Sequence, residues 1–325
     1  MDWQDKLLRW YDANKREMPW RNKPDAYRTW ISEIMLQQTQ VDTVIPYFER
    51  FIKSFTGIKK LADADTDDVL KHWEGLGYYS RARNLHKCAR LLRDDYNCKM
   101  PKTYEELLKL PGFGRYTAAA VASIANFEEV AVVDGNVLRV YSRLFKYRKD
   151  VTKESSKLEI FEKLNKSIKG KNPSSFNQGM MELGAVICKP SNPHCPLCPL
   201  NDDCKALQSG LIDELPNKPK KKKVPVYKLA VAVISKNGDY LLQQRADTGM
   251  LAGLWEFPGG KVSSRKNEKR ELQEKLKDQL GIEVSLQEKL GSCSHSYSHF
   301  KVELNIYGAS PVSGRLKYQG LTAVN

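Results

Sequence analysis

The sequence predicts an all-α unit of about 214 residues followed by a separate α+β unit. Three observations carry this. Up to about residue 214, apolar residues recur at helical spacing between Gly and Pro breaks, with no strand alternation of any length. The stretch Leu215-Pro-Asn-Lys-Pro-Lys-Lys-Lys-Lys-Val-Pro225 then breaks the pattern with charge and proline that cannot pack a core, which marks 215–225 as a basic linker. Beyond it the period changes, and Phe300, Val302, Leu304 and Ile306 alternate as a half-buried strand.

In the first unit, helices are expected near 27–37, 46–55, 66–73, 82–96, 103–110, 115–126 and 174–187. Pro46 argues against one helix from 27 to 55 and fits the first turn of a new one. In the second unit, 228–234 is a nearly continuous apolar run. Asn237-Gly238 is a hairpin signal that leads into 239–245. A helix is expected over 266–280, with Leu272, Leu276 and Leu280 on one face and Gly281 as its stop.

Composition narrows the function classes. The 325 residues carry a formal net charge of +14 and include 15 Tyr and 6 Trp. Cations interleaved with aromatics favour nucleic acid over a membrane surface. No run approaches the roughly 18 apolar residues of a membrane span. Met1-Asp2-Trp3-Gln4-Asp5 lacks a signal-peptide pattern, so the expected setting is cytoplasmic, at the nucleoid through DNA.

Four of the seven cysteines are clustered as Cys188-x6-Cys195-x2-Cys198-x5-Cys204, with Pro190, Pro193, Pro196 and Pro199 holding the loop extended. In a cytosolic chain that is a metal-site pattern, and four thiolates suit either zinc or a 4Fe–4S cluster. Leu110-Pro-Gly-Phe-Gly-Arg-Tyr-Thr-Ala118 has the form of a helix-hairpin-helix. Gly112, Gly114 and Arg115 would grip a phosphate there, and a plain Gly-rich connector is the alternative. Val133-Asp134-Gly135-Asn136 reads in isolation as a turn. Glu33 lies among Trp30, Ile31, Ile34 and Met35, so it is either a solvated neighbour or a desolvated acid that keeps its proton near neutral pH.

Longer motifs decide between these options. Met18-Pro-Trp-Arg21, Trp30-Ile-Ser-Glu-Ile-Met-Leu-Gln-Gln-Thr-Gln-Val41 and Gly75-Leu-Gly-Tyr-Tyr-Ser-Arg-Ala-Arg-Asn84 stand in order with the hairpin, the aspartate and the cysteines. Together they resemble the MutY adenine DNA glycosylases of the endonuclease III superfamily, across essentially the first 205 residues. The resemblance implies a six-helix barrel over 24–134 that contains the helix-hairpin-helix, and an iron–sulfur domain from 1–23 and 135–214. It implies that Cys188, Cys195, Cys198 and Cys204 hold a 4Fe–4S cluster. The activity implied is removal of adenine opposite 8-oxoguanine or guanine in duplex DNA by a monomeric enzyme. Glu33 would protonate adenine at N7 and Asp134 would stabilise or capture the oxocarbenium sugar, with Tyr116 and Asn136 assisting. Arg21, Leu36 and Thr39 would line the pocket for the flipped base, and Gln38 and Tyr78 would enter the gap in the duplex. Related bifunctional enzymes carry Lys where this chain has Tyr116, so no Schiff base and little strand cleavage are expected.

Trp255-Glu-Phe-Pro-Gly-Gly-Lys261 and the helix after it resemble a Nudix domain over 226–325. Aligned on Gly260 and Gly281, the hydrolase box has Lys266, Glu274-Lys275 and Asp278-Gln279 where its acids should be, so Asp278 alone cannot assemble a Mg²⁺ site. A pyrophosphatase is therefore disfavoured. Glu33, Asp134 and Tyr116 together disfavour a non-catalytic iron–sulfur DNA-binding protein, and a thymine or hydroxypyrimidine glycosylase of the same fold is the nearest alternative. In the relatives a Phe-Ser-His loop reads the lesion, and here it is Tyr297-Ser298-His299. The ~100 residues after the linker are short for such a domain, which implies a unit that stops early.

Overall fold

The computed structural model describes residues 1–21, 24–219, 224–236, 238–246, 253–263, 267–297, 300–314 and 321–324. The chain divides into two compact units, 1–220 and 221–325. The first consists, among its described residues, of helices α1 (Trp3–Asn14), α2 (Ala26–Leu36), α3 (Val41–Ser54), α4 (Ile58–Ala62), α5 (Thr66–Trp73), α6 (Ser80–Tyr96), α7 (Tyr104–Leu107), α8 (Arg115–Asn126), α9 (Gly135–Leu144), α10 (Glu154–Ser167), α11 (Pro173–Val186) and α12 (Lys205–Gln208).

Short polar side chains start these helices. Asp2, Asp25, Thr103, Asp134 and Asn172 each accept a backbone N–H from their own first turn. Asp134 is thus the N-cap of α9. The turn signature and the cap signature coincide here, which is why 135–144 does not read as helical from sequence. Helices α1, α4, α10 and α12 likewise lie outside the expected segments. Pro46 lies in the second turn of α3, not in the first turn of a new helix, because α3 already starts at Val41. Pro46 and Asp42 are both exposed, so water can take the carbonyl the proline leaves unpaired.

Two apolar cores organise this unit. One gathers Trp30, Phe48, Phe51, Trp73, Leu85 and Val121 around α2. The other gathers Leu7, Val140, Ile160, Phe176 and Met180 around α9 and α11. Helix α2 is buried at every position from Thr29 to Met35, so Glu33 has no solvated face to turn to. The buried Asn177 of α11 bridges the cores. It donates to Ser123 Oγ and to the Val130 carbonyl and accepts from Val132 N–H, each at 2.8 Å. The segment that leads into Asp134 is thereby fixed.

The second unit is a sheet of order β3-β2-β1-β6-β5, made of β1 (Val226–Lys236), β2 (Asp239–Gln244), β3 (Trp255–Glu256), β5 (Ile282–Ser296) and β6 (Lys301–Gly314). Strand β4 (Gly259–Lys261) pairs with β1 and β7 (Leu321–Val324) with β2, and β1 runs parallel to β6. Helix α13 (Glu268–Leu280) buries Leu272, Leu276 and Leu280 in this unit's core and ends at Gly281, whose φ is 74°. Strands β1 and β2 are joined across Asn237-Gly238, with Lys236 opposite Asp239 and Gly238 at φ 95°. Asn237 itself is outside the described residues, as is Lys266.

Candidate active site

One cavity of about 360 Å³ in the helical unit brings the sequence candidates together. Glu33, Tyr116, Asp134, Asn136, Arg21, Leu36 and Thr39 all line it. They come from α2, the loop after it, the start of α8 and the start of α9, with Arg21 from the segment between α1 and α2.

Glu33 is 6% exposed. Burial pushes its carboxyl from 4.5 to about 7. The Tyr116 hydroxyl and Arg21 pull it down, and the charge of Asp134 pushes it further up. Tyr116 donates a short hydrogen bond to Glu33 Oε2, and burial raises the phenol well above its ordinary value. Burial also raises the Asp134 carboxyl, opposed by bonds from the Val137 N–H at 2.7 Å and the Asn136 amide at 3.0 Å. The Asn136 oxygen in turn accepts from Arg139 at 2.8 Å, and Arg139 is anchored on the Gly184 carbonyl at 2.8 Å and the Cys188 carbonyl at 2.7 Å. Two carboxyls share one wall here, one holding a proton near neutral pH and one held by N–H donors.

Several residues of this site escape sequence reasoning. Glu182 is 2% exposed and meets Arg21 at 2.9 Å and Arg16 at 2.5 Å. Burial pushes its carboxyl up, but the two guanidiniums outweigh that and hold it below its ordinary value. The signal was the one that marked Glu33, an acid among Met180, Met181 and Leu183. Gln178 accepts from Arg21 at 3.1 Å. Gly184 lets α11 approach α9: a Cβ there would stand 2.6 Å from Asn136 Cβ and 3.1 Å from its Cα. Since backbone cannot move aside, Gly184→Ala should destabilise the fold by roughly 1–3 kcal/mol, measured by denaturant unfolding. An unchanged midpoint would contradict the packing.

Gln38 and Tyr78 lie outside the cavity lining, at the tips of two turns. Both have left-handed backbones, φ 59° and 50°, and both are exposed. The hairpin is built as expected. Gly112 has φ 80°, and Gly114 starts α8 with no side-chain cap, so the first-turn N–H groups are open to an anion. Arg115 is engaged with Glu154 at 2.9 Å, an exposed pair that a phosphate can displace at little cost.

The four clustered cysteines line one small pocket with Ile187, Pro193 and Leu207. Among the described residues, no three His, Cys, Asp or Glu side chains stand close enough for a single metal ion. The buried Arg143 reaches the Cys188 sulfur at 3.4 Å and the Lys189 carbonyl at 2.7 Å. In the second unit, the Tyr297 ring packs between His295 and Phe300, at 4.5 and 4.9 Å. Ser298 and His299 lie outside the described residues.

Residues 31–168 match the HhH-GPD superfamily of base excision DNA repair proteins, and 230–322 match the NUDIX domain. The adenine DNA glycosylase of Mus musculus is 36% identical over 93% of this chain and 69% of its own. That of Buchnera aphidicola subsp. Baizongia pistaciae is 39% identical over 78% of this chain and 72% of its own. A thermostable thymine-DNA glycosylase structure overlays 63% of this chain and 95% of its own, with a TM-score of 0.58 at 27% identity. A helix-hairpin-helix core continued by a Nudix-type sheet, at such identity along nearly the whole chain, places the chain in the adenine DNA glycosylase family of base excision repair.

Proposed function

We propose that this adenine DNA glycosylase hydrolyses the bond between adenine and its sugar where adenine is mispaired with 8-oxoguanine or guanine. The observation that carries the reading is the meeting of Glu33, Tyr116 and Asp134 on one cavity, with Glu33 able to hold a proton up to about pH 7. Its volume of about 360 Å³ lies in the range of small-ligand pockets. Glu33 gives its proton to N7 of the extruded adenine. The C1′–N9 bond then breaks with its electron pair leaving on the base, and because N7 already carries the proton, adenine departs neutral rather than as an anion. Asp134 stabilises the cationic sugar, or captures it as in retaining glycosidases. Water adds to C1′ and returns a proton to Glu33. Asn136 holds Asp134, and Arg21, Leu36 and Thr39 shape the base pocket.

Tyr116 has no amine and so cannot itself form the Schiff base that a Lys at this place forms in bifunctional relatives. The deciding experiment is release of free adenine from duplexes carrying adenine opposite 8-oxoguanine, guanine or thymine, with a parallel borohydride trap. The expectation is release from the first two and no trapped lysine adduct. Strong trapping, or equal release opposite thymine, would sink the proposal. Preference for 8-oxoguanine is assigned to the Tyr297-Ser298-His299 loop.

The cysteine pocket favours a 4Fe–4S cluster over zinc. A cluster takes one thiolate per iron and spreads its ligands, whereas zinc draws four sulfurs onto one point. Four cysteines share one pocket here, and their x6-x2-x5 spacing matches the iron–sulfur loop of the superfamily. When bound, the cluster ties down the 188–204 loop, within the domain we assign to 1–23 and 135–214, beside a barrel over 24–134. Burial raises the Cys198 thiol to about 12, and a bound cation would favour its thiolate. Purified protein is expected to be brown with visible absorbance, which Cys198→Ser removes. A colourless protein with stoichiometric zinc would refute the cluster.

A further inference from the structure

Between the two exposed turns lies a single guanidinium. Arg81, at the start of α6, has Nη1 within 2.8 Å of the Ile34 carbonyl, 3.0 Å of Met35 and 2.6 Å of Gln37. Its Nη2 is 3.2 Å from the carbonyls of Leu76 and Gly77 and 3.4 Å from Thr39 Oγ1. The first set consists of carbonyls at the end of α2, which have no acceptor role left within the helix. The second belongs to the turn that presents Tyr78. One planar, charged group therefore satisfies two segments some forty residues apart in sequence through its two terminal amines, while its buried Nε has no partner among the described residues.

The surroundings reinforce the link. The Arg81 guanidinium stands 5.3 Å from the Trp73 ring and 5.6 Å from the Tyr78 ring. Trp73 Nε1 donates to the Gly77 carbonyl at 3.1 Å, so the same turn is pinned from below. Gln38 and Tyr78 occupy left-handed backbone, which non-glycine residues adopt at a cost and keep only where their surroundings impose it.

We propose that Arg81 is a positioning residue that locks the Gln38 and Tyr78 turns together, so that both side chains enter a duplex as one rigid wedge when adenine is extruded. This rests on the reading that Gln38 and Tyr78 enter the duplex. Arg81 touches no substrate and acts through the two turns.

The test is a double-mutant cycle in the full chain, in a Glu33→Gln background that halts excision. The readout is 2-aminopurine fluorescence from a duplex with the probe beside an adenine opposite 8-oxoguanine. Arg81→Met and the pair Gln38→Ala/Tyr78→Ala should each lower the extruded fraction about tenfold, and all three together should stay within about threefold of either. Arg81→Lys, which keeps the buried charge but offers no planar fork, should repeat the pattern, and it replaces Arg81→Met if that variant fails to fold. If the Gln38/Tyr78 pair leaves extrusion unchanged, the wedge reading falls and the proposal falls with it. If the pair matters but the Arg81 loss multiplies in full on top, Arg81 supports the fold alone and the proposal is overturned.

Discussion

Asp134→Asn will leave duplex binding within about threefold of the parent and reduce adenine release by about 10²–10³, the usual cost of removing a positioned electrostatic partner of a transition state. The substitution is close to isosteric. The new side-chain oxygen can still accept from the Val137 N–H, so the N-cap of α9 persists. The negative charge facing the sugar is lost. The new amide NH₂ would also face the NH₂ of Asn136, which now donates to Asp134 Oδ2 at 3.0 Å. A stability loss of about 1 kcal/mol is expected from that mismatch, far too little to account for the rate. Single-turnover release together with a binding isotherm separates the two effects. Turnover equal to the parent's would remove Asp134 from the mechanism.

The second large effect is expected at Glu33. Glu33→Gln keeps an oxygen to accept from the Tyr116 hydroxyl but has no proton to give, so release should fall by about 10²–10⁴, the range of general acid catalysis. In the parent, kcat/KM should fall as pH rises through about 7, because Glu33 acts in its acid form and ionises there, and fall again on the acid side as Asp134, raised by burial, takes up a proton. A profile flat to pH 9 would contradict this assignment.

The same residue affects stability in the opposite sense. Its folded-state value, about 7, lies above the ordinary 4.5. The protonated carboxyl's favourable contribution is thus complete below about pH 4.5 and lost as pH rises through 7. The displacement corresponds to about 3 kcal/mol. Glu33→Gln should therefore melt higher than the parent at pH 8, with the gap narrowing toward pH 5. An inactive variant that is also more stable would identify the desolvated acid as a cost the fold carries for its chemistry.

How much of this was legible beforehand varies with the kind of residue. Motif residues were legible through the family resemblance that the longer strings carry: it named Glu33, Tyr116, Asp134 and Asn136, and they line one cavity. Local strings also marked Gly281 as a helix stop and Leu272, Leu276 and Leu280 as a buried face. Helix α9 was not legible, since Asp134-Gly-Asn136 serves equally as a turn or as a cap. Neither were Glu182, Asn177, Arg81, Arg139 and Arg143. Their roles depend on which carbonyls and carboxylates arrive opposite them from tens of residues away.

The sequence by itself determined the order of the units, the break in period at the linker, the residue types available for acid and cation chemistry, and the family. Tertiary structure alone decided that Glu33 is dry enough to keep its proton, that Glu182 instead stays charged between two arginines, and that one guanidinium spans the two exposed turns. The physical reason is that chain periodicity sets which face a side chain takes. Dielectric surroundings and hydrogen-bond partners are set by segments remote in the chain, and these fix a carboxyl's charge.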